Sequence, residues 1–277
     1  MADPDRGLFE PALIAENYRR DLQPYLVAPW SRRLVEYAGA SRGQTVLDVA
    51  AGTGAVARAA ASAVGAGGQV IASDISRAML AVLAADVTAR PEPGAARIDT
   101  LECSATEISL PDGAVDIVLC HQGLPSMPDR VAIAGEMHRV LRPGGTVAVA
   151  VWALGERLEP FDSYATAVRR HLSDSPFARM MAGGTLSMTT EGVAAALTGG
   201  GFDRVSAIRE HLTVRWPTPL DEARGIAGTP FGSEIAAMGP DASMALLSEL
   251  ETTLAGADGT TVPHPLVAVF GHGTAAR

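Results

Sequence analysis

The chain contains no lysine: all 22 of its basic residues are arginine. A Schiff base to pyridoxal phosphate or to a carbonyl substrate needs lysine, as does the phosphate-gripping position of a Walker-type loop, so those chemistries are excluded. Basic tracts are missing too, and with 31 acidic residues and a net charge of -9 the chain lacks the footprint of a nucleic-acid binder. Its two cysteines, Cys103 and Cys120, form no CxxC pair and sit in no histidine cluster, which excludes a disulfide scaffold and speaks against a metal site. No apolar run reaches transmembrane length, and the opening MADPDRGLFE has no positive stretch followed by an apolar one. These absences lead us to expect a cytoplasmic protein with a small-molecule substrate and neither nucleic acid nor membrane as partner. A homodimer is left open.

From about Gln44 to Val151, short β-branched runs alternate with Ala-rich stretches, the pattern of a parallel sheet with crossover helices. The expected strands are Thr45–Val49, Gln69–Ser73, Arg97–Glu102, Val115–Cys120 and Thr146–Val151. Helices are expected near Gly54–Val64, Ser76–Ala89 and Pro128–Leu141, with Pro143-Gly144-Gly145 as the turn that stops the last of them. Ahead of this block, Pro11–Ala40 reads as two helices split near Pro24. Behind it the pattern weakens: Phe161–Leu172 and Glu191–Leu197 read as helices, Arg204–Arg209 and Thr213–Trp216 as strands. Leu220–Leu254 reads as an interrupted helix and Leu266–Phe270 as a last strand.

The chemistry starts in Val46–Ala57, an apolar strand, a small-residue turn and a helix start. Gly52-Thr53-Gly54 with Ala57 also satisfies a relaxed dinucleotide fingerprint, and a tight turn with no ligand is the plain alternative. Asp48, four residues before Gly52, separates the ligands, because a carboxylate aimed at a pyrophosphate repels it and suits a cation instead. S-adenosylmethionine carries an ammonium and a sulfonium and no phosphate. Asp74 then falls at the end of the second strand, where two acceptor oxygens match the vicinal diol of a ribose. A helix N-cap is the competing role, which Ser76 could fill.

Asp48-x-Ala50-x-Gly52-x-Gly54 resembles the first motif of class I S-adenosylmethionine-dependent methyltransferases, with Ala50 in place of a glycine. The resemblance implies an α/β, Rossmann-like fold: a mostly parallel seven-stranded sheet with helices on both faces, an N-terminal helical lid and an inserted helical cap. Residues 1–43 would be the lid, 44–152 the cofactor-binding core and 153–277 the rest of the sheet with its cap, all in a single domain. At the position of the family's adenine-reading Asp-Ala pair stand Ser104 and Ala105, and the hydroxyl forfeits a charge-assisted bond. Ile75 and Met79 are expected to cover the adenine, with membership of the core as the alternative for either. Cys120, His121 and Gln122, at the carboxyl edge of the fourth strand, should border the methionine moiety and the reacting centre. No Asn-Pro-Pro-aromatic or Pro-Cys motif of the DNA-methylating enzymes occurs there.

Tyr18-x-Arg20, Ala28-Pro29-Trp30 and Gly200-Gly201-Phe202 extend the resemblance to a broad bacterial group that includes the ubiquinone and menaquinone C-methyltransferases. In that group the N-terminal helices fold over the cofactor, so Tyr18 would contact its carboxylate or pack beneath the helix. Tyr25 and Trp152 are the expected substrate residues, and His121 is the expected catalytic base if the acceptor needs one. No metal constellation stands out. The expected activity is transfer of a methyl group to an O, N or C atom of a small, mainly apolar metabolite, in secondary metabolism. A methyltransferase fold used for rearrangement, cyclisation or ligand binding is the alternative, with an NAD-dependent oxidoreductase behind it.

Overall fold

The computed structural model describes residues 12–276, so the first residues of the expected lid, Pro11 and the MADPDRGLFE segment lie outside the described residues. Among the described residues eight strands occur in chain order: β1 (Thr45–Val49), β2 (Gln69–Asp74), β3 (Arg97–Glu102), β4 (Val115–His121), β5 (Leu141–Ala153), β6 (Ser187–Met188), β7 (Asp203–Val214) and β8 (His264–Thr274). They form one sheet ordered β3-β2-β1-β4-β5-β8-β7, with the two-residue β6 pairing β5 off this seven-strand path. Strands β1 to β6 pair in parallel, and β8 runs antiparallel to both β5 and β7. The order reverses between β1 and β4, the switch point at which open α/β sheets leave a crevice beyond their carboxyl ends.

Two expectations about strands need correction. Pro143-Gly144-Gly145 does not separate helix from strand; β5 already starts at Leu141 and the turn bulges out of it, with Val115 opposite Leu141 but Ile117 opposite Thr146 and Gly144 at φ +79°. The two expected strands around Arg204 and Thr213 are a single one, because β7 pairs without a break from Ser206 opposite His272 to Val214 opposite His264.

The helices are α1 (Ala12–Asn17), α2 (Ala28–Tyr37), α3 (Ala55–Val64), α4 (Arg77–Ala89), α5 (Arg130–Val140), α6 (Phe161–His171), α7 (Pro176–Ala182), α8 (Thr190–Gly199), α9 (Pro219–Arg224), α10 (Phe231–Ala237) and α11 (Pro240–Leu254). Pro24 does not split the N-terminal helix. A π-helical stretch, Tyr18–Val27, carries the chain from α1 into α2, with the Ala28 amide bonding the Gln23 carbonyl five residues back. Proline cannot donate to the carbonyl four residues behind it, and the wider register absorbs that loss without a break. The Leu220–Leu254 stretch is cut into α9, α10 and α11 at Gly228–Pro230 and at Gly239-Pro240.

Each face of the sheet has its own core. On one, Trp30 and Leu34 of α2, Val56 and Ala60 of α3 and Leu83 of α4 cover Leu119, Ala150 and Phe270; on the other, Met137 of α5 and Leu197 of α8 cover Val118, Val149 and Val151. A third cluster, with Tyr164, Phe177, Phe231, Leu246 and Leu250 among its members, lies within the cap helices. Burying each such side chain contributes about 1.5–3 kcal/mol, so the cap has internal reasons to hold its shape beside the sheet.

Candidate active site

At the carboxyl end of β1 the chain turns through three left-handed residues, Ala50 (φ +57°), Gly52 (φ +54°) and Gly54 (φ +84°). The glycines serve different ends. A Cβ on Gly54 would lie 2.1 Å from Leu83 Cδ1, so that glycine lets α3 seat against α4, while a Cβ on Gly52 would meet nothing within 4 Å. Gly52 therefore borders open space, the cradle that a bound ligand's backbone-hugging atoms would fill. Ala50 adopts the same backbone region with a side chain, at a cost of about 1–2 kcal/mol.

Asp74 closes the opposite side of this turn. Its Oδ2 accepts from the Gly52 amide at 2.7 Å and its Oδ1 from the Ser76 amide at 2.8 Å. Ser76 Oγ accepts from the Met79 amide and so caps α4, which leaves the N-cap role with Ser76. The two backbone amides thus fix the Asp74 carboxylate at the end of β2, on the wall of the cavity.

That cavity has a volume of about 270 Å³ and extends from the glycine turn across the carboxyl ends of β1, β2 and β4 to the cap. Of the expected cofactor residues, Tyr18, Ala50, Gly52, Asp74, Ile75, Met79, Ser104, Ala105, His121 and Gln122 all line it. Met79 does so while also packing against Ala15 and Val82, so its two expected roles coexist. Ser104 Oγ is shared with Thr106, lying 2.8 Å from the threonine hydroxyl and 3.2 Å from its amide, which engages the hydroxyl locally. The Tyr18 phenol is held firmly protonated by burial and by the charges of Asp74 and Asp48.

Four expected residues are not on the cavity wall. Asp48 is 1 % exposed and lies beneath the turn; neither of its oxygens has a hydrogen-bond partner, and burial pushes its pKa well up, opposed by the Ala57 amide at the start of α3. Gly54 acts through packing, as above. Cys120 points into the opposite core among Val118 and Val149, since successive strand residues alternate faces, and burial pushes its thiol up to about 12. Tyr25 turns away to pack on Trp216, ring centroids 6.1 Å apart.

Trp152 lines the cavity as expected and meets Trp30 edge-on at 5.7 Å. His121 stands nearby, 8 % exposed, its pKa lowered to about 4 by burial. Gln122 is left-handed (φ +62°) and its Oε1 accepts from the Trp152 amide at 3.0 Å. The remaining wall was not anticipated. Leu22, Leu26 and Val27 come from the π-helical stretch, Phe161 and Phe177 from α6 and α7, and Leu186 from the loop before β6. The spacing of Leu22 and Leu26, one turn beyond Tyr18, is a signal that could have found two of them. Thr53, buried inside the glycine turn, donates its hydroxyl to Gln23 Oε1 and ties the lid to the turn.

Residues 47–149 match the model of a methyltransferase domain. Over 148 residues the chain is 35 % identical to a 2-phytyl-1,4-naphtoquinone methyltransferase of Synechococcus elongatus, the match covering 53 % of this chain and 63 % of that one. It is 29 % identical over 199 residues to a nocamycin O-methyltransferase of Saccharothrix syringae, covering 69 % and 70 %. Among solved structures, a phosphoethanolamine N-methyltransferase of Haemonchus contortus with S-adenosylhomocysteine superimposes with a TM-score of 0.62 at 19 % identity, over 99 % of this chain and 59 % of that one. The chain thus spans less than two thirds of the length of the naphthoquinone relative. The fold and its glycine turn define an α/β methyltransferase core. Residues 47–149 are similar to a methyltransferase domain, and the fold around them is the one this structure shares with the Haemonchus contortus enzyme.

Proposed function

We propose that this protein is an S-adenosylmethionine-dependent methyltransferase that acts on an O, N or C atom of a small, mainly apolar metabolite. The observation that carries the reading is the pairing of Gly52 and Asp74, a backbone amide and a fixed carboxylate beside a cradle where a Cβ would meet no atom. Those residues fit an adenosine. Gly52 allows close approach, Asp74 offers its carboxylate to a diol, and Ile75 and Met79 supply apolar cover. Asp48 favours this cofactor over a dinucleotide, because a carboxylate buried beneath the glycine turn would gain from a cation bound at that turn and lose from a pyrophosphate there.

When bound, the cofactor supplies a methyl group on a positively charged sulfur, already activated for displacement. The chain's task is then alignment and exclusion of water. Leu22 and Leu26 of the lid, Trp152 of the sheet and Phe161, Phe177 and Leu186 near the cap form the apolar wall that would hold the acceptor. A phytyl naphthoquinone, the compound in one relative's name, is itself apolar, which supports such an acceptor here. We place the protein in the cytoplasm and in secondary metabolism, with the small molecule as its partner. The test is incubation with S-adenosylmethionine and a panel of neutral aromatic alcohols, amines and electron-rich carbons. Release of S-adenosylhomocysteine with a methylated product is expected. Tight cofactor binding with no such release across the panel would replace this reading with a rearrangement or binding role, and preferential binding of NADH with an oxidoreductase.

A further inference from the structure

At the acceptor end of the cavity the two ring nitrogens of His121 meet different surroundings. Nδ1 lies 3.5 Å from Oγ of Ser31, a fully buried residue of α2, while Nε2 is buried with no hydrogen-bond partner among the described residues. The Ser31 hydroxyl has one proton, and it donates that proton to the Val27 carbonyl at 3.0 Å. What Ser31 offers His121 is therefore a lone pair, and a protonated Nδ1 is the form of the ring that can use it. With Ser31 donating to Val27, the Nδ1–H tautomer is the form that bonds Ser31, and it would leave Nε2 as an acceptor. Burial alone shifts this ring, in the direction that keeps it neutral.

The neighbouring side chain is arranged in the complementary sense. Gln122 spends its Oε1 on the Trp152 amide, so its Nε2 is a donor, also buried and without a protein partner. Buried polar groups are normally satisfied, and both residues line the cavity, so a molecule bound there is the candidate to complete their bonding. Leu22, Leu26, Trp152 and Phe161 surround this corner, and no arginine occurs among the described residues that line the cavity.

We infer that Ser31 is a positioning residue that holds His121 as a hydrogen-bond acceptor, and that the acceptor substrate is a neutral hydroxyl compound whose O–H donates to His121 Nε2. The inference rests on the methyltransferase reading above. As the substrate oxygen bonds to the methyl carbon of a sulfonium donor, the carbon–sulfur bond breaks with its electron pair going to sulfur. The hydroxyl proton passes to Nε2 and from there to solvent. A methylated oxygen that still holds its proton is a far stronger acid than any imidazolium, so a weakly basic histidine is sufficient to take it. A carboxylate would meet the Nε2 lone pair with no cation to receive it, and a carbonyl oxygen has no proton to give. Because α2 continues the stretch that carries Leu22, Leu26 and Val27, the same helical run that walls the cavity also holds Ser31 against His121.

Three measurements on the full chain test this. Long-range nitrogen–proton NMR of the ligand-free protein should report His121 protonated on Nδ1; Ser31→Ala should mix or reverse the tautomer, and Ser31→Thr should keep it. In calorimetry with S-adenosylhomocysteine present, 1-naphthol should bind and 1-naphthoate should bind more weakly. With 1-naphthol as substrate, Ser31→Ala should lower kcat about tenfold with KM within about twofold, His121→Ala should lower kcat by roughly 100-fold or more, and Ser31→Thr should recover most of the loss. An Nε2–H tautomer in the parent protein, an unchanged tautomer and kcat in a folded Ser31→Ala, or tighter binding of naphthoate would each overturn the inference. Failure of the methyltransferase reading shows separately, as absence of S-adenosylhomocysteine binding, and takes this inference with it.

Discussion

The two ends of the cavity are built by different means. At the end proposed to hold the methyl donor the wall is largely backbone: a left-handed turn at Ala50 to Gly54, an amide of Gly52 and a carboxylate that two amides hold in place. At the end proposed for the acceptor it is side chain, drawn from three distant stretches: the lid around Leu22, the sheet edge at His121 and Trp152, and the cap around Phe177. Backbone geometry restricts which residues a position accepts, so the donor end tolerates little change. Apolar contact asks only for volume and shape, so the acceptor end can be retuned to a different substrate without disturbing the fold.

The sharpest break of that comparison is Asp74→Ala. Two amides lose their acceptor and a diol loses its partner, so affinity for S-adenosylhomocysteine should fall about 100-fold, or ~2.7 kcal/mol, in calorimetry; an equal loss of acceptor affinity would erase the distinction between the ends. Next come the glycines. Gly54→Ala places a Cβ against Leu83 in a left-handed residue and should cost about 2–3 kcal/mol in denaturant unfolding. Gly52→Ala meets no protein atom, so it should cost about 1–2 kcal/mol of stability but remove most cofactor affinity. At the other end, Met180→Ala and Leu186→Ala should each weaken acceptor binding about tenfold, with cofactor affinity unaltered; both side chains line the cavity and neither is fully buried.

Asp48 supplies a pH test. Its folded pKa is raised by burial, so it favours the folded state most when protonated. Stability contributed in this way is present below the unfolded carboxylate value of about 4 and is lost as pH rises through the folded pKa. Asp48→Asn should therefore raise the melting temperature of the ligand-free protein at pH 7 and flatten its dependence on pH above 4, while weakening cofactor binding. The smallest effect is expected for Ala50→Gly. Relief of the left-handed alanine is largely offset by the freer unfolded chain, leaving a gain of up to about 1 kcal/mol.

How much was legible in the sequence follows the same division. Strands β1 and β3 lie where their β-branched runs put them, and Gly52, Asp74 and Ser76 take the expected places because a tight βα turn and a strand end leave few options. Asp48 is recognisable by its spacing, yet burial beneath the turn, rather than exposure on the wall, is a matter of which way a strand residue faces. Cys120 was misplaced for that reason, and His121 was not. Tyr25 and Pro24 depended on helix register, which a π-helical stretch shifts without leaving any mark that hydropathy can reveal. The cap was least legible, since Phe161, Phe177 and Leu186 converge only through tertiary packing.

With lysine absent, the chain has arginine as its only fixed cation, and none of the described wall residues is one; the positive charge at the centre of the chemistry is to come from the ligand. Calorimetric titration with S-adenosylmethionine, alongside NADH, tests this most directly. The account predicts one-to-one binding of S-adenosylmethionine that Asp74→Ala weakens about 100-fold, with NADH silent. No binding up to millimolar S-adenosylmethionine, or binding of NADH in its place, would contradict it.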